Sequence, residues 1–169
     1  MDDAIAAGTD TTLRLWHRFE ATPERVFAAW TRPDALRLWW CPAGWVPTRI
    51  EVDLRPGGEY RLSMTRQSGT PSVTVHGRFL KIEPPRKLVY TWLWDGAFAE
   101  MPETTVTIDF APVGDGTELS LRQEALAIPF CVQHLSGWTA ALDRISRVVH
   151  VPMSLLHALD TPSTGDHAI

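Results

Sequence analysis

From Pro129 to His150 the chain repeats apolar side chains at steps of three and four, so that Leu135, Trp138, Leu142, Ile145 and Val149 fall on one stripe of an α-helix. A stripe of that kind has to be buried against other apolar surface. Pro129 suits a first helical turn because it has no N–H to lose there, and Pro152 ends the helix for the complementary reason. Gln133, Ser136, Ala140, Asp143, Arg144 and Arg147 take the opposite side and are expected to face water. The hundred residues before this helix read mostly as strands, which makes the concave face of a sheet its natural partner.

The first strand is expected from about Thr12 to Glu20, with Leu13 and Leu15, and in one reading Trp16, alternating with polar groups. Thr22 suits an N-cap, Pro23 a first helical position and Glu24 the positive helix end, ahead of the apolar Val26, Phe27 and Trp30. Pro33 and Asp34 open a second short helix carrying Leu36, Trp39 and Trp40. Cys41 to Pro47 reads as a loop that sets Trp45 on an irregular surface segment. Val46 to Leu54 is the next strand, and Arg55 to Gly58 its hairpin turn. Tyr60, Leu62 and Met64 then share one face. Further strands are expected at Val73–Glu83, Lys87–Asp95, Thr104–Phe110 and Thr117–Glu124, with Leu88, Tyr90, Trp92 and Trp94 alternating along the second of these. Phe98 and Met101 fall in the loop from Gly96 to Glu103, exposed unless they cover something. The joins are short, so the sheet should be antiparallel, and a twisted sheet of this size curls. The expectation is an α+β fold: about six or seven strands curved around a long C-terminal helix, with two short helices after the first strand.

With 169 residues the chain suits one domain that needs no disulfide or metal staple. A net charge of −4 with scattered arginines argues against a nucleic-acid partner. Cys41 and Cys131 form no CxxC, so neither a disulfide framework nor a cysteine zinc site is indicated, and a cytoplasmic location is the default. The acidic start resembles neither signal peptide nor anchor, and no stretch approaches the ~20 apolar residues of a membrane span. Eight tryptophans are unusual for this length. Each indole buries a large surface and brings one N–H that wants an acceptor, so the excess either fills a core or edges a cavity.

Phe19, Ala21, Pro23, Val26, Phe27, Trp30, Pro33, Leu36, Trp39 and Trp40 form a first motif, and Pro56, Gly57, Gly58 and Tyr60 a second. Gly77, Ile82, Pro84, Pro85, Leu88, Thr91, Trp92 and Trp94 form a third, followed by Gly137, Trp138 and Leu142. Together they resemble the START-like superfamily (SRPBCC, helix-grip), in the branch similar to the C-terminal domain of the activator of the ninety-kilodalton heat-shock protein ATPase. The resemblance runs from about Leu13 to Val149. It implies a helix-grip domain over residues 12–150, between a disordered segment 1–11 and a C-terminal tail 151–169 with one short turn around Leu155–Leu159. It also implies a cavity between the sheet and the long helix.

Around that cavity the reading places Trp45, Tyr60, Met64, Trp92, Trp94, Phe130, His134 and Trp138. The same side chains would equally fill a solid core. His17, His76, His134, His150, His157 and His167 show no i, i+4 pair and join no cysteines at finger spacing, so no metal site is expected. His134 lies one turn before Trp138, and Cys131, three residues earlier, could approach it. Asp53, Glu59, Glu118 and Glu124 are the carboxylates weighed for acid–base work; alternation turns Glu59 and Glu118 outward. No catalytic residue and no cofactor is assigned. The function expected is binding of an apolar or aromatic small molecule without turnover. Two rivals remain: a chaperone-activator-like interaction module of the stress response, using Trp39, Trp40, Trp45 and the loop from Gly96 to Met101, and a cyclase- or hydrolase-like enzyme. The sequence sets no oligomeric state, and a homodimer is compatible with it.

Overall fold

The computed structural model describes residues 10–158. The disorder expected for residues 1–9 and the tail from residue 159 onward lie outside the described residues. Strand β1 (Asp10–Phe19) starts earlier than expected: Asp10 and Thr11, assigned from sequence to the disordered segment, pair with Ala127 and Leu126 of the last strand. Their backbone groups find partners in that strand whatever the polarity of the side chains. Helices α1 (Pro23–Thr31) and α2 (Pro33–Trp39) each carry proline at the first position. Thr22 caps α1 through its carbonyl, which accepts from the Arg25 and Val26 amides, and not through its hydroxyl.

Six strands follow: β2 (Trp45–Val52), β3 (Glu59–Arg66), β4 (Ser72–Glu83), β5 (Lys87–Gly96), β6 (Thr104–Val113) and β7 (Gly116–Ala127). All seven form one antiparallel sheet in the order β1-β7-β6-β5-β4-β3-β2, a meander whose last strand returns to pair with the first. Trp45 is not in an irregular loop but opens β2, paired with Arg66, whose guanidinium carbon sits 4.7 Å above the indole. Ala125 takes a φ of 62° where the register of β7 against β1 slips, a bulge that sharpens the local bend of the sheet.

A 3-10 turn at Ile128–Phe130 leads into α3 (Cys131–Val148), and α4 (Met153–Ala158) forms where a short turn was expected. Trp138, Leu142, Ile145 and Val149 are buried as the periodicity requires. Leu135 is not: it is 44% exposed. Ala141 and Val148 are buried as well, which rotates the packed arc of α3 away from Leu135 and leaves that side chain at the margin. On the side expected to face water, Gln133, Ser136, Ala140, Asp143 and Arg147 are exposed, and Arg144 is half-buried.

The closed end of the fold is an aromatic core. Trp30 of α1 stacks on Trp138 of α3 at 5.8 Å between ring centroids, and Phe27 and Trp30 both pack edge-on against Phe110 of β6. Gln123 of β7 is wholly buried and links Trp138 to Thr104: it accepts from the indole Nε1 at 2.8 Å and donates to the Thr104 hydroxyl at 2.8 Å. A buried amide satisfied on both sides costs little and fixes the position of α3 on the sheet.

Candidate functional site

Alternation along β3 and β5 turns Met64, Trp92 and Trp94 toward the concave side, while the C-terminal end of α2 brings Trp39 and Trp40 across from them. Between these walls and α3 lies a cavity of about 200 Å³. Pro42 and Phe98 complete its rim; Phe98 folds back so that its ring meets Trp94 edge-on at 5.4 Å. The roof is α3 itself. Gln133, Gly137, Ala140 and Arg144 form one helical row over the cavity, and His134, Trp138 and Ala141 the row beside it.

Five of the eight residues expected around a cavity line this one: Met64, Trp92, Trp94, His134 and Trp138. Three do not. Tyr60 is buried deeper, beside a separate void of about 30 Å³, and its hydroxyl donates to the Thr91 carbonyl at 2.6 Å. Burial pushes that phenol well above its ordinary range, the nearby Tyr90 and Glu103 adding to the effect. Trp45 is half-buried at the sheet edge under Arg66, and Phe130 packs against the core from the 3-10 turn.

Of the row Gln133, Gly137, Ala140 and Arg144, the sequence pattern turns Gln133, Ala140 and Arg144 to water, and Gln133 and Ala140 stay exposed while they border the cavity mouth. Its signal was present: two small residues between polar ones at three- and four-residue spacing leave a shallow groove, wherever the helix is rotated to face the sheet. Among the residues of the expected interaction patch, Trp39 and Trp40 are buried, at 2% and 8% exposure, and Trp40 meets Trp92 at 5.5 Å. Met101 of the loop is buried too.

The polar groups at the cavity are few. Trp39 donates its Nε1 proton to the Ala29 carbonyl at 2.7 Å, but the buried indole N–H groups of Trp40, Trp92 and Trp94 have no acceptor among the described residues. His134 bonds the Phe130 carbonyl through Nδ1 at 3.0 Å; burial lowers its pKa, so the ring is neutral near pH 7 and Nε2 is left as an acceptor. Arg144 donates Nε to the Trp39 carbonyl at 2.7 Å. Cys41, beside it, has its thiol pushed up to about 11 by burial, against the pull of Arg144. Cys131 and His134 do not bond one another: the Cys131 thiol lies 3.6 Å from the Ala127 carbonyl. Asp53 and Glu124 are engaged by Arg55 and Arg122, and Glu59 and Glu118 are exposed as alternation required. No group of three or more metal-binding side chains occurs among the described residues, and no described helix is long and apolar enough to cross a membrane.

Comparison with known proteins bears on this geometry. Residues 20–150 match the family described as activator of Hsp90 ATPase homolog 1-like protein. A crystal structure from Chromobacterium violaceum is 30% identical with a TM-score of 0.75, over 83% of this chain and 98% of that one. The solution structure of the AHSA1-like protein of Aeromonas hydrophila is 25% identical (TM-score 0.69; 90% and 97% covered), and CalU16 of Micromonospora echinospora 26% identical (0.64; 91% and 85%). Comparison with functionally curated proteins finds no match. A seven-stranded antiparallel sheet gripping a C-terminal helix, matched over residues 20–150 and shared with these structures, places the chain in the activator of Hsp90 ATPase homolog 1-like family.

Proposed function

We propose that the chain binds a small apolar or aromatic molecule, without turnover, in the cavity beneath α3. The observation that carries this reading is the cavity itself: about 200 Å³ walled largely by indole, phenyl and thioether surface. Apolar space of ~150 Å³ is enough to accept benzene, so the occupant has one or two rings. Binding alone suffices for what the site contains. No carboxylate lines the cavity among the described residues, and His134 and Cys131 are engaged with carbonyls of their own chain. Two free cysteines suit a reducing compartment, in keeping with a cytoplasmic binding protein.

Gly137 offers a direct test, since a Cβ there meets no atom within 4 Å. Gly137→Leu should fill the cavity without distorting the helix, and exchange of an interior helical glycine favours helix by up to ~1 kcal/mol. The uncharged two-ring probe 2-naphthol should bind the wild-type chain, with a change in tryptophan emission, and fail to bind Gly137→Leu of equal or higher melting temperature. Unaltered binding in that variant would remove the cavity as the site.

A second reading, a chaperone-activating interaction module, draws on family membership and on Ile128, Val132 and Leu135, which stand exposed where α3 begins. Capture of the ninety-kilodalton chaperone that is lost on Val132→Asp yet kept by Gly137→Leu would favour it over the cavity.

A further inference from the structure

Among the described residues Arg144 is the one permanently charged side chain in the cavity lining, and no described carboxylate lies within ion-pairing distance of it. Its Nε is fixed on the Trp39 carbonyl at 2.7 Å, which sets the plane of the guanidinium and leaves the two terminal nitrogens for another acceptor. Neighbouring Asp143 attracts it electrostatically from beyond ion-pairing distance, and Arg147, three residues on, adds an opposing positive charge. The guanidinium is half-buried against indole and alanine with its terminal nitrogens still open to water, so an anion entering the cavity can replace that water with charge-assisted hydrogen bonds. The remaining unmet polar demand points the same way. Trp40, Trp92 and Trp94 contribute donors that lack acceptors. Gln133 and His134 lie ten to eleven residues from Arg144, about 16 Å along the helix axis, so the charge stands at one end of a slot floored by aromatic rings.

Resting on the small-molecule reading above, we infer that the occupant is a planar aromatic acid whose carboxylate pairs with the Arg144 guanidinium while its rings lie against Trp92 and Trp94. Guanidinium and carboxylate match as two parallel hydrogen bonds, so Arg144 selects anionic ligands over neutral ones of the same shape.

The matched probes 2-naphthoate and 2-naphthamide separate this inference from the pocket itself. Calorimetric titration of the full chain should show 2-naphthoate binding about tenfold more tightly, with only that preference weakening as salt is raised. Arg144→Gln should lower 2-naphthoate to the level of 2-naphthamide and leave 2-naphthamide within about twofold, and Arg144→Lys should retain part of the preference. Equal affinity of the two probes for the wild-type chain, or a preference that survives Arg144→Gln, overturns the assignment of Arg144 and leaves the cavity standing. Absence of binding by either probe, together with a negative 2-naphthol titration, overturns the cavity and this inference with it. Should Arg144→Gln fail to fold, the salt dependence in the wild-type chain decides: a preference that does not weaken with salt overturns the ion pair.

Discussion

Two sets of three tryptophans lie side by side beneath α3 and differ in one respect. Trp30, Trp39 and Trp138 all have acceptors for their N–H groups: the Tyr90 hydroxyl at 3.2 Å, the Ala29 carbonyl at 2.7 Å and the Gln123 amide oxygen at 2.8 Å. Trp40, Trp92 and Trp94 have none, although their rings pack on one another at 5.5 to 6.4 Å. The first set holds helices to sheet and to each other. Trp39 and Trp138 of that set also line the cavity, as do all three of the second, where a buried donor left without an acceptor carries a standing cost of about 1–3 kcal/mol. Indoles thus serve two purposes here, and hydrogen bonding, more than burial, tells them apart.

The largest effect should come from truncating one member of each set. Trp138→Ala removes a fully packed ring and is expected to cost about 3–5 kcal/mol in chemical denaturation, whereas Trp94→Ala, at the half-buried rim, should cost below about 2 kcal/mol and chiefly weaken probe binding. Equal losses in stability would break the distinction between the sets. A smaller effect isolates hydrogen bonding from packing. Gln123→Leu keeps most of the volume but strips the acceptor from Trp138 and the donor from Thr104, so stability should fall by about 1–3 kcal/mol. If that variant is as stable as the wild type, satisfied N–H groups do not define the core set.

The mildest effect concerns pH. Burial lowers the pKa of His134 below its ordinary 6.5, so the unfolded chain takes up a proton at a higher pH than the folded one. Above 6.5 both states are neutral and the residue makes no difference; as pH falls from 6.5 toward the lowered value the unfolded state is favoured and stability declines. Denaturation midpoints of the wild type and of His134→Gln should therefore converge or cross on acidification, with the steeper decline in the wild type. Parallel curves would mean that His134 is as well solvated in the folded chain as in the unfolded one.

Much of the architecture was legible before any coordinates. Prolines 23 and 33 marked the starts of α1 and α2, alternation marked the faces of β3 and β5, and spacing marked Trp138, Leu142, Ile145 and Val149 as buried. Strand ends were less legible. Asp10 and Thr11 belong to β1 because β7 offers them backbone partners, a long-range fact invisible in their side chains. The site was half legible: Met64, Trp92, Trp94, His134 and Trp138 stood out as large or titratable groups at the right period, but nothing in the local pattern distinguished Trp45 or Phe130 from them.

By itself the sequence determined which elements form and which residues in each are apolar, because periodicity and proline placement are properties of a few adjacent residues. Only the tertiary structure decided how far α3 is turned about its own axis. A rotation of well under a turn took Leu135 out of the core and set Gly137, Ala140 and Arg144 over the cavity, and that angle depends on how Ala141, Val148 and the Gln123–Trp138 hydrogen bond fit the curved sheet. Packing of distant parts of the chain sets such an angle, so no window of neighbouring residues contains it.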